Sequence, residues 1–206
     1  MSTIEECKFN HLIDAVIASH CSHRLLNWLL YPNLRIPFIA AAPRTFHLIA
    51  LILSESSLMQ LSKCVDDHRD KPDSIMYLIN EENREDLMNS KYTSIIEKVR
   101  QIRHRDLAHL DARSRERTNF YKTLGLLHSD TEKLVDKIVE IIDKEIARKN
   151  IKTKINHSLK HYLQIESKHL RNEAQQLIKV FESLKSLEHE KLVQTYFQQK
   201  IKERKN

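Results

Sequence analysis

Side chains that can move protons and bind phosphate are concentrated between residues 97 and 111. The residues in this stretch that could do so are Arg100, Arg103, His104, Arg105, Asp106, His109 and Asp111. Cleavage of RNA without a metal needs a base for the 2′-hydroxyl proton, an acid or solvent for the 5′-oxygen, and a fixed cation for the phosphorane's charge. Histidine and arginine are the natural suppliers of these groups. This stretch therefore contains the side chains that such a reaction needs.

The spacing of these residues leaves two interpretations open. On an ideal helix Arg103 and His109 lie about 120° apart, so they meet only if the arginine reaches round or the helix ends between them. Arg105 and His109 are four residues apart and share a face. Alternatively the cluster forms solvent-facing ion pairs, such as Arg103 with Asp106, which are common on helices.

Residues 103–109 resemble the signature of HEPN domains. That signature is an arginine, then commonly a polar Asn, Asp or His, and a histidine four to six residues after the arginine; here five residues separate Arg103 from His109. The continuation Ala-His-Leu-Asp at 108–111 is similar to the Ala-His-x-Asp form of the abortive-infection HEPN proteins of the AbiU type. Further upstream, three stretches resemble the helix order of that subfamily: 28–31, 46–67 and 74–79. The resemblance covers roughly residues 5–147.

The resemblance implies a fold, an activity and a set of roles. HEPN proteins are helical bundles, usually homodimers, and many are metal-independent endoribonucleases of toxin–antitoxin or antiviral systems. The two motifs of a dimer face each other across a cleft, which gives a composite site of two arginines and two histidines. By this resemblance Arg103 stabilises the scissile phosphate, His104 orients or protonates, and His109 acts as general base or acid. The residues implied to support them are Arg105, Asp106 and Asp111; no metal and no cofactor is implied.

The elements that must position this cluster are helices. The chain has one glycine in 206 residues, at position 125, and this excludes the glycine-rich loops that cradle phosphates in Rossmann and Walker-type folds. Apolar residues instead recur at helical spacing. The predicted helices are Thr3 to Leu30, Thr45 to Asp66, Asp73 to Ile79, Ser90 to Ile102, Asp130 to Ile146, and one long helix or two joined by a kink over 156–201. The predicted fold class is all-α: a HEPN-like bundle with a long basic C-terminal helical extension.

The charge divides the chain into two parts. Residues 1–147 contain 20 Lys and Arg against 22 Asp and Glu, a net charge of −2, whereas residues 148–206 contain 14 against 6, a net charge of +8. A basic segment is typical of a polyanion-binding protein, although a solvated helix face explains it equally well. The division predicts a helical bundle over 1–147 and a basic extension over 148–206. The predicted RNA contacts are Arg100, Lys149, Lys152, Lys154 and Lys160.

The sequence gives little support for a zinc site, a membrane-spanning helix or secretion. Cys7, His11, His20 and His23 are too far apart for the paired knuckles of structural zinc sites, so we predict core thiols and surface imidazoles instead. The longest apolar run, residues 46–53, is too short to cross a bilayer. The first residues lack the apolar region of a secretory signal, and three cysteines without CxxC spacing fit reduced thiols. The expected location is the cytoplasm.

Two functions from different classes follow from these patterns. The leading hypothesis is a homodimeric endoribonuclease of a toxin–antitoxin or antiphage system, which cleaves RNA by 2′-hydroxyl attack and is regulated by an antitoxin or defence-system partner protein. The alternative is a non-catalytic interaction or regulatory subunit, in which the helices over 156–201 dock a partner. Neither hypothesis involves a membrane.

Overall fold

The structure is a computed structural model that describes residues 3–31, 35–36, 38–39, 42–67, 73–102 and 125–203. These residues form seven helices: α1 Ile4–Leu30, α2 Pro43–Cys64, α3 Ile75–Leu78, α4 Glu81–Leu87, α5 Ser90–Ile102, α6 His128–Lys149 and α7 Leu159–Glu203. No strand occurs in the described ranges, which confirms the predicted all-α class. Nor does any described helix combine the length and apolarity needed to cross a membrane.

Helix α1 begins where the sequence predicts. The Thr3 hydroxyl accepts a hydrogen bond from the backbone N–H of Glu6 (3.1 Å), and the Glu6 carboxylate accepts one from the N–H of Thr3 (2.7 Å). This reciprocal capping box satisfies two N–H groups that the first turn of a helix leaves without partners.

Helices α1 and α2 pack against each other through serines. The Ser19 hydroxyl donates to the carbonyl oxygen of Ser57 (3.0 Å), and the Ser57 hydroxyl donates back to the carbonyl oxygen of Ser19 (3.1 Å). Helix α2 starts at Pro43, two residues before the predicted start, because the first helical position needs no N–H group and suits the fixed φ of proline.

All seven helices contribute to one hydrophobic core. Its fully buried side chains include Phe9, Leu12, Ile13 and Val16 of α1, Leu61 of α2, Ile75 of α3, Leu87 of α4, Ile96 and Val99 of α5, Leu134, Ile138, Ile141 and Ile142 of α6, and Leu159 of α7. The first turn of α7 is therefore part of the same core as the N-terminal helices. A smaller cluster of Leu29, Phe38 and Phe46 packs against Ile178 of α7.

Helix α4 is absent from the sequence prediction. Its sequence from Glu81 to Leu87 contains one apolar residue, Leu87, so hydrophobic periodicity gives no signal for it. The cap is the signal that was available, because the Asn80 side-chain oxygen accepts a hydrogen bond from the N–H of Asn83 (2.9 Å).

Helix α6 begins earlier than expected and ends in a left-handed residue. Its N-cap is Leu127, with no side-chain hydrogen bond, and its first residue is His128, two residues before the predicted start at Asp130. At the other end Asn150 has φ 50°, and the N–H of Ile151 donates to the carbonyl oxygen of Ile146 (3.1 Å). Asparagine tolerates this conformation, which closes the carbonyl end of the helix.

Helix α7 is one continuous helix of 45 residues, which decides between the single and the kinked helix that the sequence allowed. At 1.5 Å per residue its axis is about 67 Å long. Its start is fixed by Asp143 of α6, whose carboxylate accepts hydrogen bonds from the N–H groups of Leu159 (2.6 Å) and Lys160 (3.1 Å).

Candidate functional site

The predicted catalytic residues lie outside the described residues. This applies to Arg103, His104 and His109, and equally to the residues implied to support them, namely Arg105, Asp106 and Asp111. The described residues define the two ends between which this segment runs. Helix α5 ends at Ile102, and the described chain continues at Gly125.

The C-terminal end of α5 is firmly held. Val99 and Ile102 are completely buried. The Arg100 guanidinium donates twice to the carbonyl oxygen of Val65 (2.9 and 2.6 Å) and lies 3.0 Å from a carboxylate oxygen of Asp67. Charge-assisted hydrogen bonds of this kind are among the stronger ones in proteins. Arg100 therefore ties the last turn of α5 to the chain that follows α2, and its predicted contact with RNA stays a prediction.

Gly125, the residue at which the described chain resumes, is bonded to the same helix, α5. Gly125 has φ +57°, a left-handed conformation that strains any residue with a side chain, although open space surrounds its Cα. Its carbonyl oxygen accepts a hydrogen bond from the ammonium group of Lys98 (3.2 Å). Lys98 lies one turn before Ile102, so the first described residue after position 124 is bonded to the helix that ends at position 102.

A small cavity of about 180 Å³ lies beside this point of return. Its walls combine apolar side chains with His23 and two serines, and they come from α1, α2 and the start of α6. The lining residues are His23, Leu26, Ser54, Ser57, Leu58, Leu126, Leu127 and Thr131. Leu127 is 61% exposed at its rim.

The lysines predicted to bind RNA fall into two groups. Lys149 lies 2.5 Å from the carboxylate of Glu5 and donates to the carbonyl oxygen of Leu78 (2.9 Å), and Lys154 forms an ion pair with Asp14. Lys152 and Lys160 are exposed. Lys149 and Lys154 therefore hold the basic extension against α1, whereas Lys152 and Lys160 can meet a ligand without losing an ion pair to that helix.

A cavity of about 650 Å³ lies between α1, α5, α6 and α7, and the sequence analysis did not predict it. Ten of its twelve lining residues are of polar or charged type, although their carbon atoms form much of the wall. The residues are His20, Arg24, Tyr92, Lys133, Asp136, Lys137, Val139, Glu140, Lys160, Leu163, Gln164 and Ser167. On α6 these side chains form an ordinary polar face at helical spacing, so only the packing of α7 across that face turns it into a cavity.

The floor of this cavity is a buried histidine bonded to a serine. The Ser167 hydroxyl donates its one hydrogen to the carbonyl oxygen of Leu163 (2.7 Å), so it accepts from the ring nitrogen Nε2 of His20 (2.9 Å). Nε2 therefore carries the proton of a neutral imidazole. Burial, together with the positive charge of Arg24, lowers the pKa of His20 from 6.5 to about 4.

Two of the four cationic side chains that line the cavity form ion pairs with described residues, and two do not. Arg24 lies 2.9 Å from Glu132, and Lys137 lies 2.6 Å from Asp86. Burial favours the neutral form of Lys137, but its hydrogen bonds to Asp86 and Glu140 and the charges of these two carboxylates together outweigh burial, so the pKa of Lys137 is raised. For Asp136, burial and then the charge of Glu132 raise the pKa. Lys133 and Lys160 form no ion pair within the described part of the chain.

All three cysteines are free thiols, and two of them, Cys21 and Cys64, have low reactivity. Burial raises the pKa of Cys21 to about 11 and that of Cys64 to about 12, which suppresses the thiolate that a nucleophile or metal ligand needs. Cys7 is exposed. Across the described ranges, no three His, Cys, Asp or Glu side chains are grouped closely enough to hold a metal ion.

The arrangement as a whole offers two places for chemistry. One is the segment between Ile102 and Gly125, which carries the histidines and arginines; the other is the polar cavity at the opposite end of α5. No family model, no curated protein and no solved structure matches this chain. Its function therefore has to be argued from its own residues.

Proposed function

We propose that this chain is a metal-independent endoribonuclease of the HEPN type, acting as a homodimer in the cytoplasm in a toxin–antitoxin or antiphage system. The observation that carries the proposal is the position of the motif. Arg103 follows directly on Ile102, the completely buried last residue of α5, and Arg100 ties this last turn to Val65 and Asp67.

This position supports catalysis because reactive side chains work best on segments that a rigid scaffold positions. In the sequence, the motif begins directly after a helix end that is fixed on two sides. Gly125, where the described chain resumes, accepts a hydrogen bond from Lys98 of the same helix. An all-helical fold agrees with the resemblance at the level of fold class.

The proposed reaction is an internal transesterification. One histidine, His109 or His104, removes the proton from the 2′-hydroxyl, whose oxygen attacks the adjacent phosphorus and breaks the bond to the 5′-oxygen. The leaving 5′-oxygen takes a proton from a second histidine or from water. Arg103 stabilises the negative charge that accumulates on the phosphorane. The products are a 2′,3′-cyclic phosphate and a 5′-hydroxyl, with no metal and no cofactor consumed.

The proposal includes two kinds of partner. A second copy of the chain completes the site with its own arginine and histidine, so activity depends on the concentration of the dimer. An antitoxin or defence-system protein keeps such an activity in check. Lys152 and Lys160, exposed on the basic extension, supply contacts to RNA phosphates, and binding through them weakens as salt is raised.

The test is an RNA cleavage assay in excess EDTA with purified wild-type protein, Arg103→Ala and His109→Ala. We expect each substitution to lower the rate at least about a hundredfold, the usual contribution of one catalytic acid, base or charge-stabilising group. His169→Ala and Arg44→Ala are matched controls, since both residues are exposed and lie outside the motif. Equal cleavage by all five proteins, or none by the wild type, overturns the proposal.

One observation favours a second function, a non-catalytic interaction subunit. On α7, Leu177 is 50% exposed and Val180 is 53% exposed, and the helix continues to Glu203. A helix face of this kind docks partners in many regulatory proteins. Under this alternative, Leu177→Glu abolishes partner binding, while Arg103→Ala and His109→Ala have no effect on any activity of the protein.

A further inference from the structure

The polar cavity of about 650 Å³ has no part in the proposed ribonuclease reaction. It lies beside Tyr92 in the first turn of α5, whereas the motif follows Ile102 at the end of that helix. The ten residues between them correspond to about 15 Å along the helix axis. The cavity therefore needs an explanation of its own, and its volume lies within the range of small-molecule sites, about 300–1,000 Å³.

Two ammonium groups on different helices suit this cavity to an anion. Lys133 lies on α6 and Lys160 near the start of α7, and neither forms an ion pair with a described carboxylate, although the charge of Lys160 also attracts the carboxylate of Asp136. The other two cations of the wall, Arg24 and Lys137, are compensated by Glu132 and Asp86. A ligand phosphate between Lys133 and Lys160 gains charge-assisted hydrogen bonds without breaking an existing ion pair.

The remaining walls suit the rest of a nucleotide. Tyr92 supplies an aromatic ring for stacking against a base. Asp136 and Gln164 supply acceptors and donors for ribose hydroxyls or for the edge of a base. The floor is fixed by hydrogen bonds within the protein, because His20 is bonded to Ser167 and Ser167 to Leu163.

We propose that this cavity is a binding site for a nucleoside monophosphate group, with the phosphate between Lys133 and Lys160 and the base against Tyr92. The group has two chemically equivalent sources, a free mononucleotide or the phosphorylated end of an RNA strand. The proposed site shares Lys160 with the RNA contacts proposed above, but it uses none of the residues between 103 and 124, so the binding test and the cleavage test can fail separately.

The test is isothermal titration calorimetry on the full chain. The probes are AMP, adenosine, inorganic phosphate, and a 2′-O-methyl tetranucleotide with or without a 5′-phosphate; the methyl groups prevent cleavage. We expect AMP or the phosphorylated tetranucleotide to bind at least about tenfold more tightly than its partner without phosphate. That ratio corresponds to about 1.4 kcal/mol, the lower end for a hydrogen bond to a charged group.

Two double variants distinguish binding in this cavity from a general attraction of anions to a basic protein. Lys133→Gln with Lys160→Gln is expected to weaken the binding at least tenfold. Lys168→Gln with Lys179→Gln removes the same charge from exposed positions outside the cavity and is expected to leave binding within about twofold.

The results identify the source of the nucleotide or overturn the proposal. Tight binding of AMP identifies the free nucleotide as a ligand, and binding of the phosphorylated tetranucleotide alone identifies an RNA end. The proposal is overturned if no probe binds, if adenosine binds as well as AMP, or if both double variants bind like the wild type. Thermal unfolding of each variant confirms that it is folded before its binding is compared.

Discussion

Glu145 is a carboxylate with no exposure to solvent, and it joins two helices. Its oxygens accept hydrogen bonds from the backbone N–H of Asn80 (3.1 Å), the side-chain amide of Asn83 (2.6 Å) and the guanidinium of Arg148 (2.6 Å). Burial alone raises the pKa of such a group, but these partners outweigh burial and lower the pKa of Glu145. The residue fastens α4 and its N-cap to α6.

Glu145→Gln is therefore expected to lower the free energy of unfolding by about 1–3 kcal/mol, because one amide oxygen cannot satisfy all three partners. Urea denaturation at neutral pH measures the loss. Glu85→Gln, at an exposed position on α4, is the control and should lie within about 0.5 kcal/mol of the wild type.

The pH dependence gives a second readout for Glu145. A carboxylate with a lowered pKa in the folded protein contributes stability that is present above its ordinary pKa and is lost as the pH falls through the lowered value. The difference between wild type and Glu145→Gln should shrink toward zero in acid. A difference that stays constant from pH 7 to pH 3 would contradict the role assigned to this carboxylate.

His20, at the floor of the cavity, gives a pH dependence of the same sign but in a higher pH range. Its pKa is about 4 in the folded protein and 6.5 ordinarily, so between these values the unfolded chain binds a proton that the folded chain excludes. The contribution is complete above pH 6.5 and falls by up to about 1.4 kcal/mol per pH unit as the pH drops toward 4.

His20→Gln removes this titration while its side-chain amide can still donate to Ser167. The free energy of unfolding of the wild type should fall more steeply than that of the variant between pH 6.5 and pH 4.5, as measured by urea denaturation at each pH. Parallel profiles would show that His20 is not held neutral by burial in the folded protein.

At the scale of the elements, hydrophobic periodicity predicted the long helices well because their apolar residues recur over several turns. Helix α1 ends at Leu30 as expected, and α5 runs from Ser90 to Ile102. Periodicity could not find α4, whose one apolar residue is Leu87. It also could not place the first residue of α6, because the Leu127 cap is made without a side-chain hydrogen bond.

The packing of α7 depends on residues that look alike in sequence and differ in burial. Leu159 is completely buried in the main core, whereas Leu177, on the same helix, is 50% exposed. Leu159→Ala should lower the free energy of unfolding by about 2–4 kcal/mol through lost burial and the cavity it leaves. Leu177→Ala should cost less than about 1 kcal/mol.

Chemical denaturation of both variants compares these positions directly. A larger loss for Leu177→Ala than for Leu159→Ala would mean that the exposed part of α7 is covered in solution. It would also mean that the start of this helix contributes little to the core. The expected order instead makes the beginning of the basic extension a structural part of the bundle.

At the scale of the whole molecule, the sequence predicted the fold class but not which charged residues form ion pairs within the protein. Composition and one glycine suffice to exclude sheets built on tight turns. The net charge of the extension did not reveal that Lys149 and Lys154 are bound to Glu5 and Asp14 of α1, because ion pairs between distant segments depend on tertiary packing. The polar cavity was unpredictable for the same reason.

The candidate catalytic residues Arg103 and His109 were identified by their types, their spacing and their resemblance to a known signature. The described structure adds the anchored end of α5 immediately before them and the return of the chain at Gly125. Their roles in catalysis stay predictions, since both residues lie between these two described points.

The most direct test of the proposed reaction is its requirement for the 2′-hydroxyl. An RNA oligonucleotide that the protein cuts at a mapped linkage is compared, in EDTA, with the same strand carrying 2′-deoxyribose on the 5′ side of that linkage. We predict a 2′,3′-cyclic phosphate on the first product and no cleavage of the substituted linkage. Cleavage of that linkage at an unchanged rate, or a product with a free 3′-hydroxyl, would contradict the proposed mechanism.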